Sequence, residues 1–175
     1  SYAQLTDLVA RFAGVLRSHG VGKGDRVAIY MPMIPEAAIA MLATARLGAV
    51  HSVVFGGFAP KELAARIRDA APAAVVTASG GIEPSRRIEY LPAVKEALGL
   101  AGVPDTPVLV KARDGFASSV ADHTGWLDWD AEMATAAPAA PVDVKATDPL
   151  YILYTSGTTG APKGVVRDNG GHAVA

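Results

Sequence analysis

Residues 26–55, with the sequence RVAIYMPMIPEAAIAMLATARLGAVHSVVF, contain the pattern that decides the fold. Residues 26–31 form a short run of apolar and β-branched side chains between turn residues, which predicts a strand. Residues 35–47 begin with Pro35, and proline in the first turn is typical of a helix. Residues 51–55 predict a second strand. Strand, helix and strand in this order are typical of a parallel sheet.

The alternation continues on both sides of this segment. Apolar residues from Leu5 to Leu16 recur at the spacing of one helix face, which predicts a helix that ends near Gly20. Towards the carboxyl terminus the predicted elements are a helix at 60–70, a strand at 73–77, a helix at 88–98 and a strand at 107–111. Short apolar strands alternating with helices predict an α/β fold, a parallel sheet with helices on both faces.

From residue 114 to residue 149 the pattern loosens into polar turns and an Ala/Pro stretch. We expect a crossing loop with one short helix around residues 129–135. Trp126 and Trp129 lie beside that helix and could form a binding surface or pin the helix to the core. The second role is the commoner one for such side chains.

The composition excludes several functions. The chain has 175 residues, which suits one domain or part of one, and its net charge of -1 offers no field for nucleic acid. It has no cysteine, so disulfides, Cys-ligated zinc and thiol catalysis are excluded. The four histidines show no metal-ligand spacing. No apolar run approaches the ~20 residues of a membrane span, and no secretory signal is visible. We expect a soluble, cytoplasmic protein without a metal site of its own.

Residues 151–166, YILYTSGTTGAPKGVV, combine a strand with a loop rich in glycine and hydroxyl groups. Glycines let backbone N–H groups approach a phosphate, hydroxyls add neutral donors, and a lysine adds positive charge. A loop after the carboxyl end of a strand is also where open α/β sheets bind ligands. The predicted phosphate-binding residues are Thr155, Ser156, Gly157, Thr158, Thr159, Gly160 and Lys163.

This loop is not the common nucleoside-triphosphatase loop. That motif requires Gly, four residues and then Gly-Lys-Ser/Thr, whereas Gly160 is followed by Ala-Pro-Lys-Gly. Gly164 therefore stands where a hydroxyl would hold magnesium. We favour a different kind of phosphate loop over the alternative, a flexible hydrophilic turn.

Residues 154–165, YTSGTTGAPKGV, resemble the signature loop of the adenylate-forming superfamily, which includes acyl-CoA synthetases, luciferases and peptide-synthetase adenylation domains. Residues 20–32, GVGKGDRVAIYMP, with Glu36 and residues 46–50, resemble the early segment of the same family. The resemblance implies that residues 1–175 are an incomplete part of the large N-terminal AMP-binding domain, ending just after the phosphate loop, with the C-terminal domain absent. We accordingly expect no catalytic residue and no synthetase activity in this chain alone.

The resemblance also implies a reaction in two steps. A carboxylate attacks the α-phosphorus of ATP to give an acyl-adenylate and pyrophosphate, and a thiol then displaces AMP. Magnesium accompanies ATP, and the loop at Thr155–Lys163 would hold its β- and γ-phosphates. The implied partners are a small carboxylate, ATP and coenzyme A.

Residues 51–58, HSVVFGGF, resemble the acetyl- and propionyl-CoA synthetase branch of the family. In that branch the positions of Phe55 and Gly57 lie against the nucleotide of coenzyme A. An exposed aromatic ring can stack on an adenine, and glycine lets the adenine approach. The alternative is a strand end packed in the core.

Residues 81–87, GIEPSRR, resemble a stretch of that branch with two arginines for the phosphates of coenzyme A. Arg86 matches the second arginine, and Glu83 stands in place of the first. The alternative for Arg86 and Arg87 is a solvated helix start.

Residues 165–175, VVRDNGGHAVA, resemble propionyl-CoA synthetases more than acetyl-CoA synthetases, and their apolar end is helix-like. The resemblance implies an acid-thiol ligase that converts propionate, ATP and coenzyme A into propionyl-CoA, AMP and pyrophosphate. The nearest alternative is acetyl-CoA synthetase or another carboxylate-activating relative. A non-catalytic nucleotide-binding module is the alternative from another class.

Overall fold

The computed structural model describes residues 1–83, 86–155 and 162–175, which form an α/β fold. The helices are α1 (Tyr2–Ser18), α2 (Pro35–Arg46), α3 (Pro60–Ala70), α4 (Leu91–Ala101), α5 (Trp129–Thr135) and α6 (Asn169–Ala173). The strands are β1 (Arg26–Met31), β2 (Val50–Phe55), β3 (Ala74–Ala78), β4 (Gly80–Glu83), β5 (Arg86–Glu89), β6 (Val108–Lys111), β7 (Leu127–Asp128), β8 (Pro149–Thr155) and β9 (Lys163–Asp168). No helix in the described ranges has the length and apolar character needed to cross a membrane.

Seven of the described strands form one sheet in the order β7, β6, β3, β1, β2, β8 and β9. All neighbouring pairs run parallel except β8 and β9, which are antiparallel. The strands β4 and β5 pair separately as an antiparallel hairpin. The predicted α/β fold is therefore confirmed, and its sheet is mostly rather than wholly parallel.

The side chains of β1 show why both faces of the sheet carry helices. Val27, Ile29 and Met31 belong to the apolar cluster that α1 and α2 complete. Ala28 and Tyr30 belong to the cluster that α3 and α4 complete on the opposite face. Successive side chains of a strand point to opposite faces, so a strand buried on both faces is apolar throughout.

The helix predicted at residues 88–98 is wrong at its start. Residues 86–89 form β5, and α4 begins at Leu91 with Pro92 in its first turn. A helix that began at Ile88 would need an N–H group at Pro92 to bond the Ile88 carbonyl, and proline has none. In the first turn of α4 that N–H group is not required.

The crossing segment is anchored to the first cluster of the core. Trp129 is buried, and its ring stacks on Phe12 with the two ring centres 3.8 Å apart. The N–H group of Ala139 donates to the Ala10 carbonyl at 2.8 Å. Trp126 is half-buried against the other cluster. The core role is thus confirmed for Trp129, whereas Trp126 packs only partly against the core.

The helix-like run at the end of the chain is a strand in its first part and a short helix in its second. Residues 163–168 form β9, and α6 occupies only residues 169–173. Val165 lies opposite Leu153 and Val166 lies opposite Ile152 of β8. β-branched valines favour a pleated, half-buried surface, and pairing with β8 overrides the apolar pattern.

Candidate functional site

Two of the predicted binding segments leave the sheet at the same edge. β2 and β8 are parallel neighbours, with His51 opposite Tyr151. Phe55 ends the first strand and Thr155 ends the second. Neighbouring parallel strands end at one edge of a sheet, so the turn after Phe55 and the loop after Thr155 begin on the ligand-binding side of an α/β fold.

The predicted phosphate loop connects β8 to β9. Thr155 is the last residue of β8 and lies opposite Lys163, the first residue of β9. Both residues are exposed. The structure thus brings together the two described ends of the predicted ATP-binding set. The other predicted positions, Ser156, Gly157, Thr158, Thr159 and Gly160, lie outside the described residues, and phosphate binding by the loop stays a prediction.

Tyr154, immediately before this loop, anchors the end of β8 to α3. Its hydroxyl donates to Oδ2 of Asp69 at 2.6 Å. Burial and then the bond to Asp69 raise the pKa of Tyr154, because both disfavour the phenolate. The guanidinium of Arg66 lies 5.5 Å from the centre of the Tyr154 ring and 4.6 Å from that of Phe58. Arg66 therefore links β8 to the turn after β2.

The turn after β2 exposes an aromatic ring. Phe55 is 60% exposed, and its ring meets that of Phe58 edge-on with the centres 5.7 Å apart. Gly57 has a φ of +124°, which favours glycine, and its N–H group donates to the Tyr30 hydroxyl at 3.2 Å. Phe55 is therefore not packed in the core of this chain. Contact of Phe55 and Gly57 with coenzyme A stays a prediction.

Arg86 and Arg87 have different surroundings. Both lie in β5, so the alternative of a helix start is wrong. The Arg87 guanidinium donates to the Gly115 carbonyl and lies 5.7 Å from the centre of the Phe116 ring. Arg86 is exposed, and its guanidinium has no hydrogen bond or ion pair with the side chains that the structure describes. Of the two charges, that of Arg86 is the one available to an anion.

A buried histidine lies where β2 meets β8. His51 is 8% exposed, and its Nδ1 has no hydrogen-bond partner within the described ranges. Its ring centre lies 5.5 Å from that of Tyr151, which in turn lies 5.6 Å from that of His172. Burial, and then the charge of His172, lower the pKa of His51 to about 4. His51 is therefore neutral near pH 7.

A family model described as AMP-binding enzyme matches residues 1–174. The chain belongs to the AMP-binding enzyme family. The recognition of the adenylate-forming superfamily from the loop and the early segment is thereby confirmed.

Two curated relatives of this AMP-binding chain are named as synthetases. The chain is 52% identical over 174 residues to mitochondrial acyl-CoA synthetase short-chain family member 3 of Homo sapiens, covering 99% of this chain and 25% of that protein. It is also 52% identical over 176 residues to the acetyl-coenzyme A synthetase of Parvibaculum lavamentivorans, covering 99% of this chain and 27% of that protein. The chain spans about a quarter of the length of these relatives.

A solved structure of an AMP-binding enzyme shares the fold. The acetoacetyl-CoA synthetase from Streptomyces lividans matches with a TM-score of 0.88 and 32% identity, covering 99% of this chain and 26% of that chain. The mostly parallel sheet with helices on both faces is therefore the fold of an acyl-CoA synthetase over this part of its length.

In the described part of the chain, no group of three or more His, Cys, Asp or Glu side chains could hold a metal ion. The donors at the ends of the predicted loop are instead a hydroxyl on Thr155 and an ammonium on Lys163. Proteins commonly hold Mg²⁺ through substrate phosphates and water with few ligands of their own. Magnesium that arrives with ATP would need no such cluster of acidic side chains, and its binding at the loop stays a prediction.

Sequence reasoning missed the tyrosines beneath these segments. Tyr30 and Tyr90 are both buried, and the sequence pattern assigns them only to a predicted strand and a predicted helix. One signal was available for Tyr30, because it interrupts an otherwise aliphatic strand and a buried phenol needs a hydrogen-bond partner. For Tyr90 the sequence offers no comparable signal, because its neighbours come from distant segments.

Proposed function

We propose that the full-length protein is an AMP-forming short-chain acyl-CoA synthetase that converts propionate, ATP and coenzyme A into propionyl-CoA, AMP and pyrophosphate. One observation carries the proposal: the turn after Phe55 and the Thr155–Lys163 connection leave neighbouring parallel strands at one edge. This arrangement would put the nucleotide of coenzyme A and the triphosphate of ATP on the same side of the sheet.

In the first half-reaction a carboxylate oxygen attacks the α-phosphorus of ATP, and the bond to pyrophosphate breaks. The pyrophosphate carries away the electron pair and its negative charge. Lys163 and Thr155 lie opposite each other; the Lys163 ammonium is suited to neutralise that charge, and the Thr155 hydroxyl is suited to donate a hydrogen bond to it. Magnesium would supply further neutralisation when it is bound with ATP.

In the second half-reaction the sulfur of coenzyme A attacks the acyl carbon, and AMP leaves. Phe55 is exposed at the edge and can stack on the adenine of coenzyme A. Arg86 can bind a phosphate of the same molecule, because its guanidinium is not engaged by the described residues. Glu83 cannot share that task, since a carboxylate repels phosphate.

The identity of the acid rests on residues 165–175, whose sequence resembles propionyl-CoA synthetases. Acetate is the second candidate, because an acetyl-coenzyme A synthetase and the human short-chain relative are equally identical to this chain at 52%. ATP–pyrophosphate exchange by the full-length protein, measured with acetate, propionate and butyrate, distinguishes the two. We expect the highest kcat/KM with propionate. An equal or higher kcat/KM with acetate would make acetate the proposed substrate in place of propionate. No exchange with any of the three acids would favour a non-catalytic nucleotide-binding module.

Exchange by a lysine variant tests the phosphate assignment. Lys163→Ala should slow ATP–pyrophosphate exchange by roughly 100-fold, the effect typical of removing one group that stabilises developing charge. Lys95→Ala is the matched control, because Lys95 is an exposed lysine on α4. Wild-type exchange by the Lys163 variant would show that the loop does not hold the leaving pyrophosphate.

A further inference from the structure

Two buried tyrosines lie beneath both segments that the proposed function assigns to coenzyme A. Tyr30 belongs to β1 and is 1% exposed, while Tyr90 joins β5 to α4 and is fully buried. Their ring centres are 4.9 Å apart with the planes tilted by 45°. Each ring belongs to the core cluster that α3 and α4 complete. The two hydroxyl groups face different parts of the backbone above them.

The hydroxyl of Tyr30 fixes the backbone of the turn after β2. It donates to the Phe58 carbonyl at 2.9 Å and accepts the Gly57 N–H group at 3.2 Å. Both bonds fall within the turn that begins at Phe55, and the positive φ of Gly57 shapes the same turn. One buried group therefore sets the conformation from which the exposed Phe55 ring projects.

The hydroxyl of Tyr90 touches the turn and the hairpin at once. An ideal Cβ on Gly56 would lie 2.5 Å from this oxygen, and one on Gly81 would lie 2.4 Å from it. Carbon and oxygen atoms that are not bonded do not approach so closely. Both glycines therefore pack their backbone against the tip of Tyr90, Gly56 from the turn and Gly81 from β4.

The hairpin carries Arg86 on its second strand. Gly81 lies opposite Ile88 and Glu83 lies opposite Arg86 in the β4–β5 pairing. The N–H group of Tyr90 also donates to the Ser79 carbonyl at 3.0 Å, which closes the base of the hairpin. The position of the hairpin relative to the turn is thus set at Tyr90.

We infer that Tyr30 and Tyr90 are positioning residues for coenzyme A: their hydroxyl groups hold the turn that carries Phe55 and the hairpin that carries Arg86 in one fixed arrangement. The inference rests on the proposed function. A ligand with an aromatic base and phosphate groups needs both contacts at a set spacing, and a preorganised pair binds it without the entropy of ordering two separate segments. Neither tyrosine touches the ligand in this arrangement.

The test uses Tyr30→Phe and Tyr90→Phe in the full-length protein, because each variant keeps the ring and removes only the hydroxyl. We expect the KM for coenzyme A to rise about tenfold, which corresponds to about 1.4 kcal/mol. ATP–pyrophosphate exchange with propionate should stay at the wild-type rate, because the first half-reaction does not use coenzyme A. Steady-state thioester formation and exchange assays measure the two steps separately.

Two glycine variants, Gly81→Ala and Gly99→Ala, test the same contact without changing either tyrosine. Gly81→Ala places a methyl group against the Tyr90 hydroxyl and should displace the hairpin, raising the KM for coenzyme A by a similar factor. Gly99→Ala is the matched control, because a Cβ there would meet no atom within 4 Å. We expect this control to keep the wild-type KM.

Three outcomes would contradict the inference. An unchanged KM for coenzyme A in both Phe variants would overturn it. So would a parallel loss of exchange and thioester formation with a lower melting temperature, which is the signature of a purely structural role. A wild-type protein that forms no acyl-CoA would contradict the proposed function, and the inference would fail with it. An active wild-type protein with unaffected variants would contradict the inference alone.

Discussion

The turn after β2 is bonded to the core, whereas the β8–β9 pair, which the predicted phosphate loop connects, is largely exposed. Tyr30 lies beneath the turn, and Leu63, on the helix that follows the turn, is buried in the same core cluster. Along the β8–β9 pair Leu153 is 54% exposed and Val166 is 58% exposed. Burial of apolar area is the main source of stability. The coenzyme A side of the proposed site is therefore held by packing, and the phosphate side depends on polar contacts such as that between Tyr154 and Asp69.

The largest expected difference comes from removing one leucine on each side. Leu63→Ala should lower the free energy of unfolding by about 2–5 kcal/mol, because it leaves a cavity among closely packed side chains. Leu153→Ala should lower it by less than about 1 kcal/mol, because its side chain is already half exposed. Urea unfolding of the 175-residue chain and of its two variants measures both values. Equal losses would show that the β8–β9 pair is as deeply packed as the turn, which would break the comparison.

The stability of the region where β2 meets β8 should depend on pH through His51. The pKa of His51 is lowered from 6.5 to about 4, so the unfolded chain takes up its proton at a higher pH than the folded chain. Stability should accordingly fall as the pH drops from about 6.5 to about 4, by up to about 3 kcal/mol from this group.

The free energy of unfolding at pH 7.5 and at pH 4.5, compared between wild type and His51→Gln, isolates this contribution. The loss on acidification should be smaller in the variant, because glutamine does not titrate. Identical losses in the two proteins would show that His51 is not held neutral between β2 and β8.

The smallest expected effect concerns the hydrogen bond between Tyr154 of β8 and Asp69. Tyr154→Phe removes the hydrogen bond to Asp69 and should cost about 1 kcal/mol of stability. Because the pKa of Tyr154 is raised, the wild-type advantage should persist up to about pH 10, the ordinary tyrosine pKa, and be lost as the pH rises further and the phenol ionises. Tyr2→Phe is the control, since Tyr2 is 90% exposed. Melting temperatures at pH 7.5 and at pH 11 measure the effect, and equal values for the two variants at pH 7.5 would refute it.

The sequence predicted those parts of the fold whose signal is local. β1 has the predicted bounds Arg26–Met31, because a strand buried on both faces is apolar along its whole length. The β4–β5 hairpin was missed because residues 80–89 are rich in glycine and charge. Its strands form through pairing across the hairpin and through the packing of Arg87 on Phe116, which no local pattern records.

The candidate site also contains residues that the sequence predicts from local motifs and residues that it does not predict. Thr155, Lys163, Phe55 and Arg86 could be named because each belongs to a short motif. The positions of Thr155 and Lys163 opposite each other follow from that motif once β9 pairs with β8. The role of Tyr90 could not be predicted, because it depends on two glycines from separate segments that meet only in the folded chain.

The neighbouring positions of β2 and β8 have a consequence for the order of folding. β3, the hairpin, α4, β6 and α5 all come between these two strands in the chain. Closing a long loop costs more entropy and is slower than pairing strands that are close in sequence. We therefore expect β1, β2 and β3 to assemble first and β8 to dock last, so that the backbone amides of β1 gain protection from hydrogen exchange before those of β8. The predicted phosphate loop between β8 and β9 would then form only after β2 and the turn that follows it have folded.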